Sequence, residues 1–314
     1  MRTTQREFWL ELPDGQRRFA RCWWPASGHV EALMCIAPGL GEHSGRYMPL
    51  ADELTRSGIG VVSMDLHGQG LSPGGRGCVR SYESLLVEVQ CLVRLARGSA
   101  ALGEFATQVP RAKGDVAELD VPTIKLTAWP RSDDQPVSLY GHSMGGNLVI
   151  NSVLRGLADP ERVIASAPML RAVHPPGPWL TRLIRVLMHV APNYRLKAPV
   201  RTEYLSNLQS EKDAYGRDPL VHRRVSLRLG AGLIDSGIWA MENAARLDRP
   251  CLIMHGTSDK ITDPVASQQF AAAAIAAGAP CRCQLYPGML HDLHRDQGKD
   301  QVIADIVKWV RSGE

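Results

Sequence analysis

The stretch Val137-Ser138-Leu139-Tyr140-Gly141-His142-Ser143-Met144-Gly145-Gly146-Asn147-Leu148-Val149-Ile150 runs from a short apolar segment through a glycine turn into helix-forming sequence. Its β-branched and aromatic residues predict a strand over 137–140, and the residues after the turn predict a helix over 145–155. A strand that turns straight into a helix around a serine lifts that side chain to the top of a strained turn. Such a turn needs small residues two before and two after the serine, and Gly141 and Gly145 supply them. The N–H of the next residue, Met144, is then free to bind an anion beside Ser143.

The same Gly-x-Ser-x-Gly spacing recurs in Gly70-Leu71-Ser72-Pro73-Gly74. There the residue after the serine is Pro73, which has no N–H, and Pro-Gly-Gly takes the place of a helix. Ser72 reads as a loop residue and Ser143 as a nucleophile.

Outward from the turn, strand-like and helix-like patterns alternate. Segments 8–12 and Arg17–Trp24 read as a hairpin, followed by strands Ala32–Ala37 and 60–64 around a helix at 47–56. A helix at Tyr82–Ala96 precedes the quoted stretch, and a strand at 163–167 comes after it. Strand 251–254, helix 265–276, strand Cys281–Tyr286 and helix 301–310 close the chain. This rhythm predicts an α/β fold with a mostly parallel central sheet flanked by helices.

Two stretches interrupt it. Residues 99–135 form a connection far longer than a helix-to-strand link needs, so they read as an insertion, within which 121–129 alternates like an edge strand. Residues 170–249, rich in Pro, Leu and Arg, read as a strandless helical cap over the carboxyl edge of the sheet. The expected organisation is a core of 1–169 and 250–314 with the cap between.

A serine hydroxyl becomes nucleophilic when a histidine takes its proton, and that histidine needs a carboxylate to fix its tautomer. On a strand–turn–helix serine the partners come in the order acid, then histidine, each on a loop after a strand. The first such acid is Asp259, in Met254-His255-Gly256-Thr257-Ser258-Asp259. Asp263 is the rival, but it opens a helix, where an acidic residue has a structural reason to be. In Tyr286-Pro287-Gly288-Met289-Leu290-His291, His291 comes after the last strand, with His294 as its rival. A second oxyanion donor is expected from Pro38-Gly39-Leu40-Gly41-Glu42, and we assign the Leu40 N–H.

Bulk properties narrow the partners. With 44% hydrophobic and 22% charged residues, the chain can bury a full core. The net charge of +4 reads as small and spread along the chain, with no basic block to support a nucleic-acid partner. The seven cysteines are odd in number and scattered, so they read as structural, not as a disulfide framework or metal site. No secretory pattern and no apolar run of about 18 residues occurs, so the expected location is cytoplasmic. No cofactor and no metal is implied.

Several motifs together resemble the monoacylglycerol lipase family of the α/β-hydrolase fold, which also includes lysophospholipase-like enzymes. They are Gly39-Leu40-Gly41-Glu42-His43-Ser44-Gly45-Arg46-Tyr47, Asp65-Leu66-His67-Gly68-Gln69-Gly70-Leu71-Ser72, residues 141–146, the cap run from Leu205 to Leu220, and residues 286–294. Pro38, where the family usually has histidine, and the bulky Leu40 depart from its pattern. The resemblance implies hydrolysis of monoacylglycerols or similar single-chain esters, with Glu42, Arg46, Tyr215 and His294 at a polar, glycerol-holding end of the pocket. A structural ion pair bracing the loop is the other reading of Glu42 and Arg46. The resemblance also implies a cap that meets membranes. Residues 179–190 are apolar on most of their circumference, which suits an interfacial lid and equally a helix buried on the sheet. Short-chain carboxylesterase and lysophospholipase are the alternative activities, with peptidase, thioesterase or acyltransferase sharing the triad. A non-enzymatic binding protein would be expected to lack a triad member, and an epoxide hydrolase or dehalogenase would attack with a carboxylate.

Overall fold

The computed structural model describes residues 3–12, 15–98, 135–198 and 200–313. β1 (Thr4–Glu11), β2 (Arg17–Trp24) and β4 (Ile59–Met64) pair antiparallel. From β4 onward, β3 (Ala32–Ala37), β5 (Val137–His142), β6 (Arg162–Ser166), β9 (Cys251–Gly256) and β10 (Cys281–Tyr286) all run parallel. These eight strands form one sheet in the order β1-β2-β4-β3-β5-β6-β9-β10. The central strands are buried on both faces, which is why β3 to β5 read as continuous apolar runs and not as alternation. The edge strand β1 passes from exposed to alternating burial along its length. This is the α/β-hydrolase fold that the resemblance implies.

Helices cover both faces. α1 (Met48–Arg56) and α8 (Lys299–Ser312) bury Leu50, Leu54, Ile306 and Trp309 against one side. The other carries α2 (Tyr82–Ala96), α3 (Met144–Leu154), α6 (Leu227–Glu242) and α7 (Pro264–Ala276). α2 starts at a capping box in which Ser81 and Ser84 satisfy each other's backbone N–H groups. A short 3-10 turn, Ser44–Tyr47, precedes α1 and takes the first residue of the expected helix.

The stretch expected to be a strandless cap differs in two respects. β7 (Arg195–Lys197) pairs antiparallel with β8 (Arg224–Ser226), and three residues are too few for a two-residue period to show in sequence. α6 buries Leu229, Leu233 and Ala240 in the core cluster, so the last part of 170–249 forms part of the core layer. Between β6 and α6 lie α4 (Pro178–Val190) and α5 (Gln209–Arg217). None of α4 is buried, with Trp179 and Val190 each 82% exposed, which removes the reading of a helix packed on the sheet. The charge is also less even than expected. Residues 178–228 hold ten Lys and Arg against four Asp and Glu, more positive than the whole chain at +4. The strand expected at 121–129, and all but the last residue of the 99–135 insertion, lie outside the described residues. No helix among the described residues is long and apolar enough to cross a membrane.

Candidate active site

Ser143 stands between β5 and α3 at φ 54° and ψ −114°, a backbone region that costs a residue with a Cβ about 1–3 kcal/mol. The turn is held by Ser143 N–H donating to the Ser166 carbonyl at 2.9 Å, and by Met169 and Asn147 N–H donating to the Ser143 carbonyl. A Cβ on Gly145 would lie 2.0 Å from the Ala37 carbonyl oxygen, and one on Gly141 would lie 2.2 Å from that of Gly145. The glycines are therefore required by contact, and the loop after β3 passes directly against the start of α3. That crossing brings the segments of Leu40 and Met144 together. Met144 opens α3, so its N–H has no helical acceptor, and neither amide is committed to a partner among the described residues.

Asp259 lies in the turn after β9. One carboxylate oxygen accepts from the Ile261 and Thr262 N–H groups at 2.7 and 3.1 Å. The other meets His291 Nδ1 at 2.7 Å, the Thr262 hydroxyl at 2.8 Å and His255 Nε2 at 3.1 Å. Burial alone would raise its pKa, but His291, His255 and these hydrogen bonds together hold it well below the usual carboxylate range. An ionised carboxylate only accepts, so His291 carries its proton on Nδ1 and leaves Nε2 as the basic nitrogen. For His291, burial disfavours the imidazolium, yet Asp259, Asp292 and Glu42 outweigh it and raise the pKa. The His291 ring lies 4.7 Å from that of His142, the residue immediately before Ser143.

The rival residues have other partners. Asp263 caps α7 by accepting from Val265 N–H at 2.8 Å and pairs with Arg171 at 2.8 Å. His294 is buried, stacked on Tyr47 with ring centroids 5.1 Å apart, and its Nδ1 lies 3.4 Å from the Tyr140 hydroxyl. Burial, with the neighbouring His142 and Arg295, pushes its pKa down to about 3, so it is neutral at pH 7. Ser72 is buried, accepts from Phe19 N–H at 2.9 Å and donates to the Asp65 carbonyl, a brace between β2 and the loop after β4.

The four residues expected at a polar end lie close together. Glu42 pairs with Arg46 at 2.9 Å, accepts from the Tyr47 hydroxyl at 2.7 Å and accepts from Gly39 N–H at 3.1 Å. Its carboxylate is thus fully engaged in bracing the loop, although burial opposes its charge and Arg46 must offset that. Arg46 spreads over the Tyr215 ring at 4.8 Å and reaches Asp292 at 3.6 Å. The Tyr215 hydroxyl and His294 Nε2 meet no partner among the described residues, so both remain available to a ligand.

Sequence reasoning did not single out His142, Asp292, His255 or Thr262. His142 was legible only as the variable position of the serine motif, and Asp292 only as an acid beside a histidine. His142, His291 and Asp292 bring potential metal-ligating atoms within 4.8 Å of one another. Their approach is accounted for by the His142 to Asp292 hydrogen bond at 3.1 Å and by the commitment of His291 Nδ1 to Asp259.

Comparison with known proteins gives three kinds of match. The family described as serine aminopeptidase S33 matches residues 28–103 and 111–298. A rat monoglyceride lipase is 28% identical over 318 residues, covering 98% of this chain and 93% of that protein. An uncharacterised abhydrolase domain-containing protein of Dictyostelium discoideum is 27% identical over 304 residues, of which this chain spans 28% of the length. Among solved structures, a monoacylglycerol lipase of Paleococcus ferrophilus superposes with a TM-score of 0.74 at 25% identity, covering 100% of both chains.

Proposed function

Because the chain belongs to the serine aminopeptidase S33 family of α/β-hydrolases, we propose that it is a serine ester hydrolase acting on monoacylglycerols or similar single-chain esters. The observation that carries this reading is the Asp259–His291 pair at 2.7 Å, with the His291 ring 4.7 Å from that of His142, the residue that precedes a serine held at positive φ. Ser143 Oγ attacks the ester carbonyl as His291 Nε2 takes its proton, and the Leu40 and Met144 N–H groups hold the oxyanion. The tetrahedral adduct collapses to an acyl-enzyme on Ser143 as the imidazolium protonates the leaving alcohol. Water, deprotonated by the same histidine, then releases the acid and restores the serine.

The head group is assigned to the polar cluster. The Nδ1 edge of a neutral His294 meets the Tyr140 hydroxyl and its Nε2 edge is unpaired among the described residues, while Arg46, held by Glu42, lies over the Tyr215 ring. Donors and an amphoteric hydroxyl at one end suit a small polyol, with Glu42 acting by holding Arg46. The cap is assigned a transient contact with a lipid surface. Exposed Trp179, Leu183, Val186 and Val190 recur on one side of α4, beside exposed Arg195, Lys197 and Arg224 on the small sheet.

The test is a panel of monoacylglycerols of rising chain length, a lysophospholipid, a short alkyl ester, a thioester and an anilide, with Ser143→Ala as control. Glyceride turnover strongest at medium or long chains, falling roughly 10⁵-fold or more in the variant, is expected. Turnover confined to short esters would remove the head-group assignment, and preference for the anilide or thioester would replace the substrate class. Turnover that persists in Ser143→Ala would overturn the nucleophile.

A further inference from the structure

A carboxylate on Nδ1 fixes one edge of a catalytic imidazole but leaves the ring able to swing about that hydrogen bond. In this chain a second imidazole packs against the first. His142, at the end of β5, has its ring 4.7 Å from that of His291 at a tilt of 55°. It is buried, and its Nε2 lies 3.1 Å from one oxygen of buried Asp292. The other Asp292 oxygen faces Arg46 at 3.6 Å, and Arg46 is held by Glu42. A Cβ on Gly39 would come within 3.3 Å of His142 Cδ2, so the same ring also abuts the loop that carries Leu40.

We infer that Asp292, acting through His142, is a second carboxylate that positions the catalytic base and the oxyanion loop together. This rests on the reading of His291 as the base. A histidine has two ring edges, and His142 spends one on Asp292 while its buried Nδ1 meets no partner among the described residues. An imidazole with one unpaired nitrogen persists in a core only where its orientation is over-determined, and the Asp292 bond supplies that. The pair also puts a negative charge behind the imidazolium that forms when Ser143 gives up its proton. Charged or titratable groups around His291 come from several elements: Asp259 and His255 near β9, Glu42 and Arg46 after β3, His142 on β5, Asp292 and His294 on its own loop, and Tyr204, whose carbonyl accepts from the His291 N–H and whose ring carries Lys260. Asp292 is the one whose charge bears on His291 and whose side chain also fixes the ring packed against it.

The experiment is the pH dependence of kcat/KM for Asp292→Asn and His142→Gln on a soluble ester, with Ser143→Ala as background and thermal unfolding of each variant. The Asp292→Asn amide lacks the charge, so the acidic limb should move to lower pH by about 0.5–1 unit, with kcat down roughly tenfold and KM within about twofold. His142→Gln keeps a donor for Asp292 and loses the ring face, so kcat should fall while the acidic limb stays within about 0.2 units. An active, folded Asp292→Asn enzyme with an unmoved acidic limb overturns the inference, since a purely structural role would give that result. If Asp292→Asn does not fold, a His142→Gln enzyme with wild-type kcat overturns it equally. Wild-type activity that survives Ser143→Ala removes the base reading itself, and this inference with it.

Discussion

Asp259 and Asp263 stand four residues apart after the same strand, and their surroundings separate them. Asp259 receives five hydrogen bonds, two of them from histidines, whereas Asp263 spends its carboxylate on the Val265 N–H and Arg171. Asp259→Asn would present an amide to His291 and favour the wrong tautomer, so kcat should fall roughly 10⁴-fold with the fold retained. Asp263→Ala should cost about 1 kcal/mol of stability through the lost cap and leave kcat near wild type. Steady-state kinetics and denaturant unfolding on both variants check this, and an Asp263 variant that loses activity would exchange the assignments. Both aspartates were visible in sequence as acids after a strand. Asp259 was separable there only because Asp263 lies at a helix start.

Helix α4 behaves as an element with two unlike sides. Thr181, Ile184 and Met188 are half-buried and make the side that rests on α6, while Trp179, Leu183, Val186 and Val190 face outward. The adjoining Arg195, Lys197 and Arg224 are exposed and lie in the most positive part of the chain. Vesicles containing anionic lipid should therefore sediment the protein more strongly than neutral ones. Each cation near such a surface contributes about 1 kcal/mol, so the paired reversal Arg195→Glu and Arg224→Glu should weaken binding roughly tenfold or more. Trp179→Ser with Val190→Ser should weaken it on both vesicle types, with hydrolysis of a water-soluble ester unchanged. Equal binding by all these variants would show that α4 and the small sheet are not the contact.

For the molecule as a whole, the buried histidines shape stability against pH. Burial, together with nearby cations, pushes His294 down to about 3 and His222 to about 4. The unfolded chain has histidines near about 6.5, so as pH falls through that value it takes up protons that the folded chain refuses. The stability these two residues contribute is present above pH about 6.5 and is lost progressively toward pH about 4. His291 has the opposite sign and offsets part of this, its share being lost as pH rises through its raised pKa. Asp259 and Glu42, held low by their partners, add losses only as pH falls below about 4, where free carboxylates protonate. Calorimetry at fixed ionic strength should show Tm falling between about pH 7 and 5, with a shallower fall in His294→Asn. A flat Tm over that interval would contradict the buried, neutral state of His294.

The alternation of strands and helices, the parallel sheet and the serine at its sharp turn all follow from the amino-acid order alone. Each arises from local rules, a period of two or 3.6, a glycine where no Cβ fits, and a missing N–H at Pro73, that act within a few residues. Tertiary structure decided what depends on distant partners. Only there does Asp292 meet His142, 150 residues away, does Glu42 turn inward to brace its own loop, and does α4 emerge with no buried residue. The same distance hid the three-residue strands β7 and β8 and the place of α6 in the core, because pairing and burial are settled by the neighbour across the interface. Periodicity shows which side of a segment is apolar, and the folded chain alone determines what covers it.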